Sequence, residues 1–254
     1  MLLVCLKVPY IWIGQSALLI GATGQTGRLL LRELLASPHF TRVGEAGRRL
    51  TSINELPADS RLKFEQTRVD FENIEAAGLK DGKWNVVFIS LGTTRHQAGS
   101  AANFEKIDRE YVISAARAAK ADIDQRLVYI SAANANPESS LLYARSKGLT
   151  EQGLAELGYS DTIIFRPAFL KNNEQTAKES RPLAYIVGAF ATAMSFFNNH
   201  WQIGVDQLAK SLLIAGTVGS SDLPPVADST RARWGGKAFT AISNRGALML
   251  SQSL

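Results

Sequence analysis

The organisation of the chain is decided by Ser16-Ala-Leu-Leu-Ile20, the turn Gly21-Ala-Thr-Gly-Gln-Thr-Gly27 and the run Arg28-Leu-Leu-Leu-Arg-Glu-Leu-Leu35. A short apolar run that ends on a glycine suits a buried strand. Leu29, Leu30, Leu31, Leu34 and Leu35 recur at helical spacing, and Ser37-Pro38 stops that helix, because a residue before proline is driven out of the helical region. Between the two, the glycines are spaced Gly-x-x-Gly-x-x-Gly. Glycine lets the backbone approach a ligand that a side chain would block, and a helix beginning near Thr26 points unpaired N–H groups and its positive dipole end at the same place. The spacing alone is a weak signal. Its place after the first apolar strand points to a turn that cradles a dinucleotide pyrophosphate, with Gly21, Thr23, Gly24, Gln25, Thr26 and Gly27 as the contacts. The plainer alternative is a turn whose glycines serve only tight strand–helix packing.

Outward from this turn, apolar runs at Thr41 to Ala46, Leu62 to Asp70, Val86 to Ile89, Leu127 to Ile130 and Thr162 to Phe165 read as further strands. Helical patterns fill Phe104 to Lys120 and Leu141 to Leu157. Strands and helices that alternate with short connections predict the α/β class: a doubly wound parallel sheet covered on both faces, the Rossmann arrangement. Residues 16–254 form a single domain in this reading. After residue 170 the alternation loosens. Leu183 to Phe197 reads as a packed helix, Val205 to Ala215 as another, and Gly219 to Gly236, with Pro224-Pro225 and Gly235-Gly236, as loop. Residues 171–254 are therefore expected to form a small helical and loop extension on the substrate side.

Residues 1–15 read as an apolar leader. Met1 to Ile13 is interrupted by Lys7 and Pro9 and is too short to span a bilayer. It lacks the charged start and cleavage site of a secretory signal. A loosely docked leader and a peripheral membrane contact both fit it. The remaining composition is that of an ordinary globular protein, with 46% hydrophobic and 20% charged residues and a net charge of +5. No basic run or arginine-aromatic stripe suggests a nucleic-acid face. Cys5 is the one cysteine and His39, His96 and His200 are scattered, so no disulfide and no metal site are expected, and a reducing, cytoplasmic location fits.

The second strand reports on the cofactor. NAD sites place an acid near its end to hold the ribose hydroxyls, whereas arginine accommodates the additional phosphate of NADP. This strand runs into Gly47-Arg48-Arg49, with Glu45 close by but no acid directly at the end. Two guanidiniums suit a phosphate dianion in charge and in fork geometry, so Arg48 and Arg49 point to NADPH; a solvated basic loop is the alternative. Asp70 would accept from the adenine amino group or else cap the turn Phe71-Glu72-Asn73.

Tyr143-Ala-Arg-Ser-Lys147 places a phenol and an amine four residues apart, on one helical face. Ser131 ends the strand before it, at the sheet edge where open α/β folds bind ligands. The three divide a carbonyl reduction among them. Ser131 would hold the substrate carbonyl, Tyr143 would donate the proton as hydride arrives, and Lys147 would bring the phenol toward neutral pH and hold the nicotinamide ribose. Against this stands an amphipathic surface helix whose Tyr and Lys are ordinary.

Taken in order, Gly21-Ala-Thr-Gly-Gln-Thr-Gly27, Gly47-Arg-Arg49, Leu91-Gly-Thr-Thr-Arg95, Ser131, Tyr143-x-x-x-Lys147, Phe165-Arg-Pro167 and Glu179-Ser-Arg-Pro182 resemble an atypical short-chain dehydrogenase/reductase family. That family includes the animal Tat-interacting oxidoreductase and fungal proteins of the mitochondrial outer membrane. The resemblance covers residues 16 to 182 and implies NADPH as cofactor. It also implies that Leu91, Gly92 and Thr93 line the cofactor after the fourth strand and that Arg166, Pro167 and Ala168 pass beside the nicotinamide. The sequence departs from the family at Ser131-Ala132-Ala133-Asn134-Ala135, where the family shows Ser-Ser-x-Gly-Ala. It departs again at Asp108, near where many related reductases carry asparagine.

Three functions compete: an NADPH-dependent reductase of a small carbonyl compound, a non-catalytic NADPH-binding regulator acting through a protein partner, and a membrane-surface scaffold that rests on Met1 to Ile13 and Leu183 to Phe197. The intact Ser131, Tyr143 and Lys147 favour the first, because a sensor needs no proton donor. Peripheral contact with the mitochondrial outer membrane, through the leader, is compatible with each.

Overall fold

The structure is a computed structural model, and it describes residues 14–171, 202–234 and 236–253. Five strands appear where the apolar runs fall: β1 (Gln15–Ile20), β2 (Phe40–Gly47), β4 (Val86–Ile89), β5 (Arg126–Ile130) and β6 (Asp161–Arg166). The third strand, β3, is shorter than its sequence pattern and covers only Phe64–Arg68. Leu62 is 92% exposed and lies in a 3-10 turn, so its alternation with Lys63 is not burial against the sheet.

With β9 (Ser229–Trp234) and β10 (Lys237–Ser243) these strands form a sheet of eight in the order β3-β2-β1-β4-β5-β6-β10-β9. Every pairing is parallel except the last, where β9 runs antiparallel to β10. The order reverses at β1, whose neighbours are β2 and β4. This switch point opens a crevice at the carboxyl ends of the strands, the position where open α/β sheets hold ligands.

Alternation along the strands feeds two cores. Ala17, Leu19 and Phe88 pack on one side with Leu30, Leu31 and Leu34 of α1 (Gln25–Ala36) and Leu208 and Leu212 of a later helix, Val205–Val218. Leu18, Ile20, Val87, Ile89 and Tyr129 pack on the other with Val112 and Ala115 of α4 (Tyr111–Ala119) and Leu154 of α5 (Leu142–Glu156). The helix read over Phe104 to Lys120 begins earlier and is interrupted. Short helices α2 (Arg95–Ala98) and α3 (Ala101–Glu105) lead into a π turn, Lys106–Glu110, before α4. A π turn inserts one residue into the helix and re-aims side chains, which makes such turns frequent at functional sites.

The carboxyl-terminal third departs most from its sequence pattern. The helix at Val205–Val218, α6, matches expectation, while Leu183 to Phe197 lies outside the described residues. The stretch read as loop contains β9, and β10 continues into α7 (Asn244–Leu250). β10 pairs with β6, so this part of the chain completes the main sheet instead of standing apart from it. Strand β9 escapes sequence reading because an edge strand faces solvent; Ser229, Thr230, Arg231 and Arg233 are all exposed. A two-stranded parallel pair, β7 (Phe169–Lys171) and β8 (Gln202–Gly204), lies beyond β6.

Candidate functional site

The glycine turn closes at the switch point. Gly21 has φ of +95°, and a Cβ there would meet the Leu91 backbone nitrogen at 3.0 Å, so conformation and packing both require glycine. A Cβ on Gly27 would lie 2.1 Å from the Gly21 carbonyl oxygen, which shows how closely α1 packs on the turn. Gly24 differs. It is exposed, its backbone is extended, and a Cβ there would find its nearest neighbour at 3.4 Å, ordinary contact. Internal packing explains two of the three glycines, and the third leaves an open cradle in front of α1. Gly24 is also the N-cap of α1, and no side chain caps the helix there. The free N–H groups of its first turn face that cradle, which fits a pyrophosphate. Ser90 fixes the turn to the next strand: its N–H donates to the Ile20 carbonyl at 2.9 Å and its hydroxyl to that of Gly21 at 3.0 Å.

At the end of β2, Arg48 and Arg49 are both exposed. Glu45, the competing acid, is buried within the strand. Its carboxylate accepts from the Thr51 N–H and hydroxyl at 3.0 Å and from Gln66 Nε2 at 2.7 Å. It is therefore committed inward, leaving the guanidiniums as the charged groups at the strand's end. Asp70 lies two residues beyond β3 and caps the turn at Phe71–Ala77, its Oδ1 accepting from the Glu72 N–H at 3.0 Å. This is the capping role; the other carboxylate oxygen is not engaged by that bond.

Strands β4, β5 and β6 bring the remaining residues to the same edge. Leu91, Gly92 and Thr93 follow β4, with Gly92 exposed. Ser131 follows β5, its N–H bonded to the Phe165 carbonyl at 2.7 Å, while its hydroxyl is buried without a hydrogen-bond partner. The loop after Ser131 lacks the family glycine but has a defined path. The Ala133 N–H reaches the Pro167 carbonyl at 2.9 Å, and Asn136 and Pro137 pack on α5, where a Cβ at Gly148 would lie 2.2 Å from the Pro137 nitrogen. Arg166 ends β6. Its guanidinium is turned onto the fully buried Glu151 through two bonds of 2.9 and 2.5 Å, which commits Nε and Nη2 inward. Trp234 Nε1 donates to the same carboxylate at 3.1 Å, and the Ala168 N–H donates to Asn244 Oδ1 at 2.9 Å. The carboxyl-terminal elements thus brace the loop after β6.

Tyr143 and Lys147 stand one turn apart on α5, as their spacing requires. Tyr143 is 45% exposed and its ring lies 6.1 Å from that of Phe104. Lys147 is buried. Its ammonium donates to the Tyr129 hydroxyl at 3.0 Å and pairs with Asp108 Oδ1 at 3.1 Å. Burial alone would push the Lys147 ammonium down, but Tyr129, Asp108 and Tyr143 outweigh it and the net shift is upward. Burial pushes the Tyr129 phenol up despite Lys147. Crowding at the Tyr143 hydroxyl likewise raises that phenol, with the Lys147 charge opposing and Asp108 adding to the rise. The Lys147 ammonium thus lowers the Tyr143 phenol, the direction the sequence reading gave it, while burial and Asp108 raise it by more.

Tyr129, Ser90 and Glu151 escaped sequence reading. In the string Leu127-Val-Tyr-Ile130 a tyrosine passes for an apolar core residue, and nothing local marks Ser90 or Glu151. A strand tyrosine two residues before Ser131 was the one available signal.

Comparison with known proteins agrees with this geometry. A family model described as NAD(P)H-binding matches residues 21–184. Protein HTATIP2 of Rattus norvegicus is 35% identical over 176 residues, 69% of this chain and 70% of that protein. The mitochondrial protein FMP52-1 of Scheffersomyces stipitis is 38% identical over 64% of this chain and 70% of its own. The mitochondrial fmp52 of Aspergillus fumigatus is 34% identical over 82% of this chain and 89% of its own. Among solved structures, the PhqB reductase domain of Penicillium fellutanum has a TM-score of 0.59 at 18% identity, over 82% of this chain and 65% of that one. MoeE5, solved with UDP-glucose and NAD, has a TM-score of 0.57 at 15% identity over 81% of this chain and 73% of its own. At such identities these two likenesses are to the fold.

Proposed function

The chain belongs to the NAD(P)H-binding family that includes the HTATIP2 and FMP52 proteins, and from that premise we propose that it is an NADPH-dependent reductase of a small carbonyl compound. The observation that carries this reading is a buried ammonium one turn from Tyr143 on α5, together with a serine hydroxyl at the end of β5 that is buried without a partner. A buried, unpaired hydroxyl costs stability and is retained where a ligand satisfies it. The bound cofactor supplies a hydride. Ser131 donates to the substrate carbonyl oxygen, holding it in register. Tyr143 gives its proton to that oxygen as charge develops there. Lys147 stabilises the phenolate left behind and recovers a proton for it from solvent. The half-exposed Tyr143 ring leaves a way in for a substrate. The test is a panel of aldehydes and ketones with NADPH absorbance as readout; no turnover across a broad panel, despite tight NADPH binding, leaves the regulator reading instead.

The choice of NADPH over NADH follows from the inward commitment of Glu45 and the exposure of Arg48 and Arg49. Charge-assisted hydrogen bonds contribute about 1.5–3 kcal/mol each. Calorimetry on Arg48→Ala, Arg49→Ala should therefore show NADPH affinity falling by about tenfold or more while NADH binding is nearly unchanged. Equal affinities for the two nucleotides in the wild type would overturn the assignment.

Several relatives carry mitochondrial names, and among the described residues no helix is long and apolar enough to cross a membrane. Peripheral attachment to the mitochondrial outer membrane through residues 1–13, which lie outside the described residues, is part of the proposal. Deleting those residues should move the protein to the soluble fraction on cell fractionation. Retention at mitochondria would show that the leader is not the anchor.

A further inference from the structure

Lys147 has two buried partners that proton donation by Tyr143 does not require. One is the Tyr129 hydroxyl at 3.0 Å, from β5; the other is Asp108 Oδ1 at 3.1 Å, from the π turn. Asp108 is 1% exposed. The π turn is what brings it there, and the Thr150 hydroxyl of α5, which donates to the Ser146 carbonyl at 2.8 Å, lies 3.4 Å from the Asp108 backbone carbonyl, so turn and helix pack together at this residue. Its Oδ1 also accepts from the Thr93 N–H at 3.4 Å, while Oδ2 is buried without a partner. The ion pair lies directly beneath the loop after β4: a Cβ on Gly92 would come 3.4 Å from Asp108 Oδ1 and 3.9 Å from Lys147 Nζ.

A lone ammonium under the phenol would favour phenolate. A carboxylate in contact with that ammonium makes the pair a dipole, whose field falls off faster than that of a charge. We propose that Asp108 is a positioning residue that offsets part of the charge of Lys147 as felt by Tyr143, so that the phenol holds its proton more firmly than it would beside a lone ammonium. The inference rests on the reductase reading, in which Tyr143 is the acid. Among the described residues, the charged groups acting on Tyr143 are Lys147 of its own helix and Asp108 of the π turn. Tyr129 of β5 contacts the Lys147 ammonium and is also coupled directly to Tyr143, and the Phe104 ring of α3 is neutral. Burial raises the Tyr143 phenol most, Lys147 lowers it, and Asp108 opposes that lowering, which agrees with a partial offset. Tyr129 sets where the ammonium sits but carries no charge of its own while protonated.

The test reads protons directly. The chain has six tyrosines, which can be labelled with 13C at Cζ, assigned by single Tyr→Phe variants and titrated by NMR in the free protein. In Asp108→Asn, the first deprotonation in the coupled Tyr143–Lys147 pair should move down by about one pH unit, a tenfold loss of proton affinity, whichever group gives up the proton. Lysine 15N signals, recorded in parallel, identify that group. Tyr159, whose hydroxyl bonds the Ala116 carbonyl away from the site, should not move. A titration identical to wild type overturns the proposal. The double variant Asp108→Asn, Lys147→Met removes both charges together and keeps a neutral pair of similar size. There the downward shift should be lost and Tyr143 should titrate no lower than in the wild type; a midpoint still about one pH unit below it would show that the shift did not come from the Lys147 charge, and overturns the proposal. If the single variant fails to fold by circular dichroism, the double variant decides alone. No substrate or turnover enters these measurements, so an empty carbonyl panel leaves them standing, and an unchanged titration removes the role of Asp108 without touching the reductase reading.

Discussion

Replacing Tyr143 with phenylalanine is expected to slow carbonyl reduction by about 10²–10⁴-fold, the usual cost of losing a positioned general acid. The substitution removes one oxygen and keeps the ring, so the packing against Phe104 survives and NADPH affinity should be nearly unchanged. Stopped-flow or steady-state absorbance separates the two quantities. The wild-type pH profile belongs to the same prediction. Because burial and Asp108 hold the Tyr143 phenol above its ordinary value near ~10, the acid is fully protonated through neutral pH. Reduction should therefore be flat from about pH 6 to about pH 9 and fall only as the phenol titrates above that range. A variant that matches the wild type on any substrate the wild type reduces would remove Tyr143 from the chemistry. It would leave the fold and the nucleotide site in place.

Gly24→Val is expected to abolish nucleotide binding, a loss of at least about 10²-fold in affinity, with the fold intact by circular dichroism. The asymmetry among the three glycines makes this a clean substitution. Gly21 and Gly27 cannot gain a side chain without disturbing the turn itself, so their variants would confuse folding with binding. At Gly24 the backbone is extended and a Cβ would stand at ordinary contact distance from its nearest atom, so the turn has room for a side chain that adds bulk at the mouth of the cradle. Isothermal calorimetry with NADPH would measure the loss; wild-type affinity in this variant would mean that the pyrophosphate sits elsewhere.

The first strand, its glycine turn and α1 were legible because three independent patterns agree within twenty residues: an apolar run, spaced glycines and a leucine face. The line Ser131, Tyr143 and Lys147 was legible for a related reason, since strand end and helix spacing are local properties. What the sequence hid is non-local. Asp108 meets Lys147 through a π turn, an irregularity with no periodic signature. Glu151 reads as one more charge on an amphipathic helix until β6 and β9 supply Arg166 and Trp234. Strand β10, with its sequence Lys-Ala-Phe-Thr-Ala-Ile-Ser, is bounded by Gly236 and by a helix whose cap is Ser243, but it follows the exposed edge strand β9 and the Pro224-Pro225 turn, and its partner β6 lies far back in the chain. Burial in the sheet, not intrinsic pattern, makes it a strand.

The insertion of β10 between β6 and β9 also bears on the order in which the molecule assembles. The phosphate cradle is built from neighbours in sequence: β1, its turn and α1 can form early, since little chain entropy is lost in bringing them together. The opposite wall cannot. Asn244 reaches Ala168, and Trp234 reaches Glu151, only after a long loop has closed, which is the slow kind of contact in folding. A chain in which that closure is delayed would already present a nucleotide pocket while the wall beside Tyr143 and Lys147 is still missing. Nucleotide bound at that stage would favour whatever conformations keep the cradle intact, and so act on folding before it acts in any reaction.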